Sequence, residues 1–144
     1  MFKISNGKTI GVFFNNNKKK DTPTTKKIEV FIISDRYIER RFDEIRIPKG
    51  FKVIDTNIDY TLVKNDDLNH IKKIIIPDGV TTISSCAFMR TGITEVVIPE
   101  SVKVIGQWAF ASCYNLTKVT IKGSPEIGVG AFADCPKLVE TVTT

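Results

Sequence analysis

Few side chains in this sequence have the type and spacing that chemistry requires. Cys113 and Cys135 lie 22 residues apart, no two cysteines form a C-x-x-C pair, and His70 has no thiol near it in sequence. A zinc site needs clustered ligands of these types, so we predict no metal site. Asp66 and Asp67 are adjacent carboxylates in an irregular segment, where such pairs are usually solvated. Because there is also no G-x-S-x-G motif and no phosphate-binding loop, we predict no catalytic residue, no cofactor and no enzyme activity.

A repeated pattern must position whatever surface the protein uses. Residues 71–140 carry nearly three copies of one pattern, with a step of 22 residues. The step is marked by Ala87-Phe88, Ala109-Phe110 and Ala131-Phe132, and by Ile83, Ile105 and Ile127. A fixed period of about 20–50 residues is typical of a solenoid, whose units are too small to bury their apolar side alone and must stack. We therefore expect Phe88, Phe110 and Phe132 to stack inside the coil.

Each copy contains a short strand pattern, apolar-x-x-apolar-x-apolar. It occurs at Phe42/Ile45/Ile47, Ile71/Ile74/Ile76, Ile93/Val96/Ile98 and Leu116/Val119/Ile121, and a weakened copy starts at Leu138. The alternation predicts parallel strands that point these residues inward and their neighbours outward. Ile47 and Ile76 lie 29 residues apart, so the first unit carries an insertion. We assign the insertion to residues 55–70 and expect it to bulge from the array.

Together these residues resemble a known family. The phrase IPESVKVIGQWAFASCYNLTKV, with IPDGVTTISSCAF before it and IGVGAFADC after it, is similar to the BspA-like leucine-rich repeat, LTxVxIPxSVTxIGxxAFxxCxx. The resemblance is specific over residues 71–140, recognisable from about residue 42 and absent from residues 1–40. It implies a curved β-solenoid with strands on one side and short helical or turn segments on the other. Members are often surface proteins that bind host or bacterial partners, and the family offers no catalytic residues to carry over to this chain.

The predicted fold class is mainly β with short helical turns. Residues 42–144 form a single-domain, leucine-rich-repeat-type β-solenoid in this prediction. Residues 1–41 form its N-terminal region, with a hairpin at 2–14, a basic loop and a strand at 28–33. The hairpin and this strand would cap the first coil, because an open solenoid end exposes apolar surface and strand edges. The other end has weaker cover, which leaves an edge for a homodimer or for more chain.

Equivalent positions in the repeat predict two further features. Cys113 and Cys135 would lie about 5 Å apart on adjacent coils. Side chains that point in parallel seldom reach the disulfide torsion of about ±90°, so we expect buried, reduced thiols that react slowly. Cys86, Trp108 and Gly130 share one position, which indicates loose packing there. Trp108 would then be partly exposed and available as a secondary contact.

The outward strand positions carry the most functional information, and we call this side of the array the strand face. One column reads Glu44, Lys73, Glu95, Lys118, Glu140, and the next reads Arg46, Ile75, Val97, Thr120, Val142. The alternating charges predict ion pairs between adjacent strands. The apolar residues beside them predict a protein-binding surface, unless another protomer or the N-terminal segment covers it. The residues predicted to bind a partner are Arg46, Lys73, Ile75, Glu95, Val97, Lys118 and Thr120.

The basic charge of the chain is concentrated outside the repeats. Residues 1–50 contain 12 Lys and Arg against 6 Asp and Glu, a net +6, whereas residues 51–144 contain 9 against 10, a net −1. Lys18, Lys19 and Lys20 could contact phosphate groups. A lysine triplet in a loop is more often simply solvated, so we rank this contact second.

These observations predict a non-enzymatic protein-binding module that uses the strand face. One alternative is a nucleic-acid or anionic-polymer binder that uses the basic segment 18–41, and another is a surface adhesin of the BspA-like type. No apolar run is long enough to span a membrane, and no signal peptide is visible. We therefore expect a cytoplasmic protein, while the family resemblance points to the cell surface.

Overall fold

The computed structural model describes residues 29–64 and 66–144. The hairpin predicted at 2–14, the lysines at 18–20 and the first residue of the predicted strand at 28–33 lie outside this part of the chain. Within it, short strands are joined by turns and irregular segments, and the regular helical structure is one short 3-10 helix at Asp35–Ile38.

Short parallel strands of the described chain form three sheets. The first sheet contains, in spatial order, β1 (Val30–Ile33), β3 (Val53–Thr56), β5 (Thr82–Ile83), β7 (Val104–Ile105) and β9 (Glu126–Ile127). The second contains β2 (Glu44–Arg46) and β4 (Lys73–Ile75), and the third contains β6 (Glu95–Ile98), β8 (Lys118–Ile121) and β10 (Glu140–Thr143), with β8 in the middle. Each coil contributes one strand to the first sheet and the next to the second or third. This is the predicted β-solenoid.

One isoleucine from each of three successive coils lines the core under the first sheet. Ile83 pairs in register with Ile54 on one side and with Ile105 on the other, and all three are fully buried. Burial of such a side chain contributes about 1.5–3 kcal/mol relative to leaving it in water. The inward positions predicted for the other strands are also buried, with Ile45 and Val96 as examples. The repeat step therefore sets which residues form the core.

The three phenylalanines of the Ala-Phe pairs stack as predicted. The ring centroids of Phe88 and Phe110 are 5.3 Å apart, as are those of Phe110 and Phe132. The backbone beside them is also bonded from coil to coil, because the Phe88 N–H donates to the Ala109 carbonyl at 2.7 Å. The segments that carry the rings are hydrogen-bonded turns rather than helices. This arrangement satisfies backbone groups that a turn would otherwise leave to solvent.

The residues before the visible repeats also join the solenoid. β1 pairs in parallel with β3, and Phe31 lies opposite Ile54. The Phe31 ring is fully buried and meets the Phe51 ring edge-on, with centroids 5.7 Å apart. The boundary between residues 41 and 42 stays a prediction.

The insertion at 55–70 packs against the array along much of its length. Ile58 and Leu68 are buried, and Tyr60 is half-buried against the core. Leu62 projects into solvent with 79% of its surface exposed. The expectation that the insertion bulges as a whole is therefore wrong, because its apolar side chains gain more by covering the neighbouring coil than by standing in water.

The last coil is open on its outer side. Ile127 is 50% exposed, although its counterparts Ile83 and Ile105 are fully buried. Val129 and Val139 are more exposed still. β10 pairs with β8 but leaves this apolar surface uncovered. The homodimer expected at a solenoid end stays a prediction.

Candidate functional site

The strand face has the register that the sequence predicted inside each sheet. Glu44 lies opposite Lys73 in the second sheet, and in the third sheet Lys118 lies between Glu95 and Glu140. The apolar column keeps the same alignment, since Arg46 faces Ile75 and Val97 faces Thr120. Strands that pair in parallel without a slip keep equivalent residues side by side. The two columns of side chains are therefore real features of the surface.

The charged column forms fewer ion pairs than predicted. Lys118 Nζ lies 3.8 Å from Glu140 Oε2, whereas Glu44 is bonded along its own strand by Arg46 Nε at 2.8 Å. Within the described chain, no ion pair joins Lys73 to Glu44 or to Glu95. The prediction of a pair on every adjacent strand is wrong, because long exposed side chains lose entropy for little gain in water. Lys73 and Glu95 thus keep their charges available to a partner.

The neighbouring column presents apolar surface to solvent. Val97 is 47% exposed at the middle of β6, and Ile75 and Thr120 are half-buried beside it. Arg46 is exposed at the end of this column. Val97 is thus an exposed apolar side chain with charged side chains on its own strand and on the neighbouring strands.

The strand face is interrupted between β4 and β6. β4 pairs with β2 alone and β6 pairs with β8 alone, so no ladder joins the second sheet to the third in the described chain. The turn that leads into β6 is also one residue shorter than the turn that leads into β8, since Ile93 follows Phe88 by five positions whereas Leu116 follows Phe110 by six.

The shorter turn draws the chain against the preceding coil. The Gly92 N–H donates to the Ile71 carbonyl at 2.8 Å, and a Cβ at this position would clash with the Asn69 carbonyl. Glycine therefore permits a close approach that no other residue allows. β6, the strand that follows Gly92, does not pair with β4.

The break opens a groove of about 640 Å³ in the strand face. Four of the residues predicted to bind a partner line it, namely Lys73, Ile75, Glu95 and Val97. The groove wall also contains Asp43, Lys72 and Thr94, which sequence reasoning missed, and Glu44, which it placed in the charged column but not among the partner-binding residues. The length of the turn before Ile93 was the signal that could have found them. Lys118, Thr120 and Arg46, the other predicted strand-face residues, do not line the groove.

Trp108 lies on a turn segment rather than on the strand face, and the prediction that it is partly exposed is confirmed. It has 42% of its surface in solvent, and its backbone φ is 59°. Cys86 and Gly130, at the equivalent positions, have φ of 62° and 70°. The three positions thus share a left-handed turn rather than loose packing. At Trp108 this turn points the side chain away from the core.

The cysteines are free thiols, as predicted. Cys113 is fully buried, but Cys135 is half-buried because it lies in the open last coil. The expectation of two buried thiols is therefore wrong for Cys135.

His70 has a structural contact. Its Nε2 lies 2.8 Å from the backbone carbonyl oxygen of Tyr37, whose side chain is buried. Burial raises the pKa of Tyr37 to about 12, which keeps its hydroxyl neutral. Across residues 29–64 and 66–144, no three His, Cys, Asp or Glu side chains are grouped closely enough to hold a metal ion. In the same residues, no helix has the length and apolar character to cross a membrane.

Comparison with known families agrees with this geometry. The model described as "BspA type Leucine rich repeat region" matches residues 32–144 with six copies. The chain belongs to this family. The match starts before residue 42, so the resemblance reaches β1 and is not absent up to residue 40 as the sequence pattern suggested. No curated protein matches the chain.

Solved structures of leucine-rich repeat proteins share the fold. A leucine-rich repeat protein from T. pallidum is 26% identical, with a TM-score of 0.60, and the match covers 78% of this chain and 52% of that one. A leucine-rich repeat protein from Bacteroides ovatus is 21% identical, with a TM-score of 0.58, over 70% of this chain and 25% of that one. The chain thus spans about a quarter to a half of the length of these proteins.

Proposed function

We propose that this chain is a non-enzymatic protein-binding module whose contact surface is the strand face, centred on the groove between β4 and β6. The observation that carries the proposal is the composition of that groove. Lys73 and Glu95 line it without an ion pair between them, and Ile75 and Val97 add apolar surface. Membership of a repeat family supports a binding role in general terms.

The backbone of the groove supports the same role. Neither the β4 edge nor the β6 edge that faces the groove is part of a ladder in the described chain. Unpaired strand edges are surfaces on which extended peptides bind through main-chain hydrogen bonds, with side-chain pockets giving specificity. Cα atoms of β4 and β6 come within 8 Å of each other, which is closer than the roughly 9.5 Å that a strand between them would need. We therefore favour a partner segment that lies over the groove, with an apolar side chain against Val97 and charged side chains facing Lys73 and Glu95.

The test compares binding by two matched valine variants. Val97→Glu introduces a charge into the proposed contact, whereas Val104→Glu introduces the same charge at an exposed valine of the first sheet. Both positions are exposed, so each variant should fold with a stability within about 0.5 kcal/mol of wild type. A substitution at the centre of a contact costs about 2 kcal/mol or more, which is roughly thirtyfold in affinity.

The expected result is a protein partner that binds wild type and Val104→Glu but not Val97→Glu, in pull-downs from the same extract followed by titration of the purified partner. Equal binding by both folded variants would refute the strand face as the contact surface. Deletion of Lys18–Lys20 should leave this binding unchanged. Binding that falls steeply with salt and with loss of these lysines would favour the anionic-polymer alternative.

A further inference from the structure

The last coil exposes side chains at positions that earlier coils bury. Ile127 is 50% exposed, whereas its counterpart Ile105 in the preceding coil is fully buried. Thr141 is exposed, although it lies in register with the buried Val119 of β8. A hollow of about 410 Å³ opens beside them, between the start of β9 and the end of β10. These positions face along the solenoid axis, so a contact that covers them must lie against the end of the array.

The core residues at the opposite end of the described solenoid are covered. Phe31 and Ile33 of β1 and Ile45 of β2 are buried, although these strands are outermost in their sheets. Head-to-tail contacts between copies generate open filaments, and here they would place the open last coil against an end whose core is already buried. Contacts between like ends follow a two-fold axis and close as a dimer. The last coil therefore matches the same coil of a second copy better than it matches the first coil.

The backbone of β10 has an edge that is open to pairing. The N–H groups of Glu140 and Thr144 donate to backbone carbonyls of the preceding coil. Backbone groups alternate in direction along a strand, so those of Thr141 and Thr143 face away from β8. No ladder forms on that side of β10 within the described residues. The sequence of β10, Glu-Thr-Val-Thr, also contains no proline and no lysine, the residues that commonly protect an exposed strand edge.

We propose that two copies of this chain form a closed dimer through the last coil, in which their β10 strands pair antiparallel across a two-fold axis at Val142. In this register Thr141 of each copy lies opposite Thr143 of the other, and their outward N–H and C=O groups bond to each other. Cross-strand threonine pairs stabilise a sheet. Glu140 lies opposite Thr144, so no like charges meet across the contact.

Pairing β10 with itself gives the longest contact between the open edges of the last coil. β10 contains four residues, whereas β9, the other edge of this coil, contains two. The dimer joins the third sheets of both copies into one, with three strands from each copy and six in all. A two-fold axis perpendicular to a sheet preserves its outward side, so the strand faces of both copies lie on the same side of the dimer. The contact also covers the exposed part of Ile127 in each copy.

The first experiment measures the mass of the full chain by sedimentation equilibrium, in reductant and over a dilution series. The expected result is a monomer–dimer equilibrium without larger species. Thr141→Arg places a charge inside the contact in both copies and should weaken the dimer by roughly thirtyfold or more. Val104→Arg places the same charge at an exposed residue of β7, away from the open end, and should leave the equilibrium unchanged. A monomer at every concentration, equal weakening by both variants, or assemblies that keep growing with concentration would overturn the proposal.

The second experiment tests the register of the two strands. Residues opposite each other at a non-hydrogen-bonded antiparallel position have Cα atoms about 4.5 Å apart, within the range of about 4.4–6.8 Å that disulfides span. Under mild oxidation Val142→Cys should therefore give dimers linked through the two introduced thiols, as mapped by mass spectrometry. Val104→Cys, a valine of β7 away from the axis, should stay unlinked. A stable dimer in which Val142→Cys forms no such link, or in which Val104→Cys links as readily, would overturn the pairing of β10 with itself.

Discussion

The indole of Trp108 lies directly on the backbone of Gly130 in the next coil. A Cβ built on Gly130 would come within 2.7 Å of the Cε3 and Cζ3 atoms of the indole ring. Both residues have positive φ, 59° at Trp108 and 70° at Gly130. The ring therefore occupies space that only glycine leaves free, and it bridges two coils on the turn side of the solenoid.

This contact predicts that Gly130→Ala destabilises the protein by about 1–3 kcal/mol, through the clash with the ring and the strain of a left-handed backbone. The clash disappears in a Trp108→Ala background, so the cost of Gly130→Ala should be smaller there. Denaturant unfolding of the four proteins in this double-mutant cycle measures the difference. An equal cost in both backgrounds would mean that the ring does not rest on Gly130.

The phenylalanine stack predicts a graded loss of stability along the array. Phe110→Ala removes a fully buried ring with a stacked neighbour on each side and should cost about 3–5 kcal/mol. That approaches the total stability of a small domain. Phe132 is partly buried at the end of the stack, so Phe132→Ala should cost less. Thermal unfolding decides the matter, since a Phe110→Ala protein that melts within a few degrees of wild type would contradict the stacked core.

The repeat period explains why some features could be predicted from the sequence. A step of 22 residues places Phe88, Phe110 and Phe132 over one another and aligns Lys118 with Glu140, so the stack and the register of β8 with β10 follow directly. These features depend only on equivalence between copies.

Features that depend on differences between copies were harder to predict. The groove arises where Ile93 comes one position earlier after its phenylalanine than Leu116 does, and nothing in the periodic pattern says that the ladder breaks there. The half-exposure of Cys135 results from its place in the last coil, although its copy of the pattern resembles that of Cys113. The insertion has no equivalent segment in the other copies, so its packing could not be predicted from the repeat.

The insertion is attached to the following unit through Tyr60. Its hydroxyl donates to the carbonyls of Cys86 at 3.4 Å and Met89 at 3.3 Å, and the Arg90 guanidinium lies 5.2 Å from the centre of its ring. Arg90 in turn donates to the Val63 carbonyl at 3.4 Å. Burial raises the pKa of Tyr60, so the hydroxyl stays a neutral donor at all physiological pH values. These contacts join the insertion to a left-handed turn of the next coil.

The last prediction tests whether the insertion packs on the solenoid through Tyr60 or is a solvent-exposed loop. Tyr60→Ala should destabilise the protein by about 2 kcal/mol or more, because it removes a packed ring together with its hydrogen bonds. Tyr60→Phe keeps the ring and should cost about 1 kcal/mol, the usual contribution of a hydroxyl hydrogen bond. Leu62→Ala is the matched control within the insertion, since Leu62 is 79% exposed and its loss should change stability by no more than about 0.5 kcal/mol. Urea unfolding of the three variants gives the comparison. If Tyr60→Ala were as stable as Leu62→Ala, the insertion would be a free loop rather than a part of the solenoid surface.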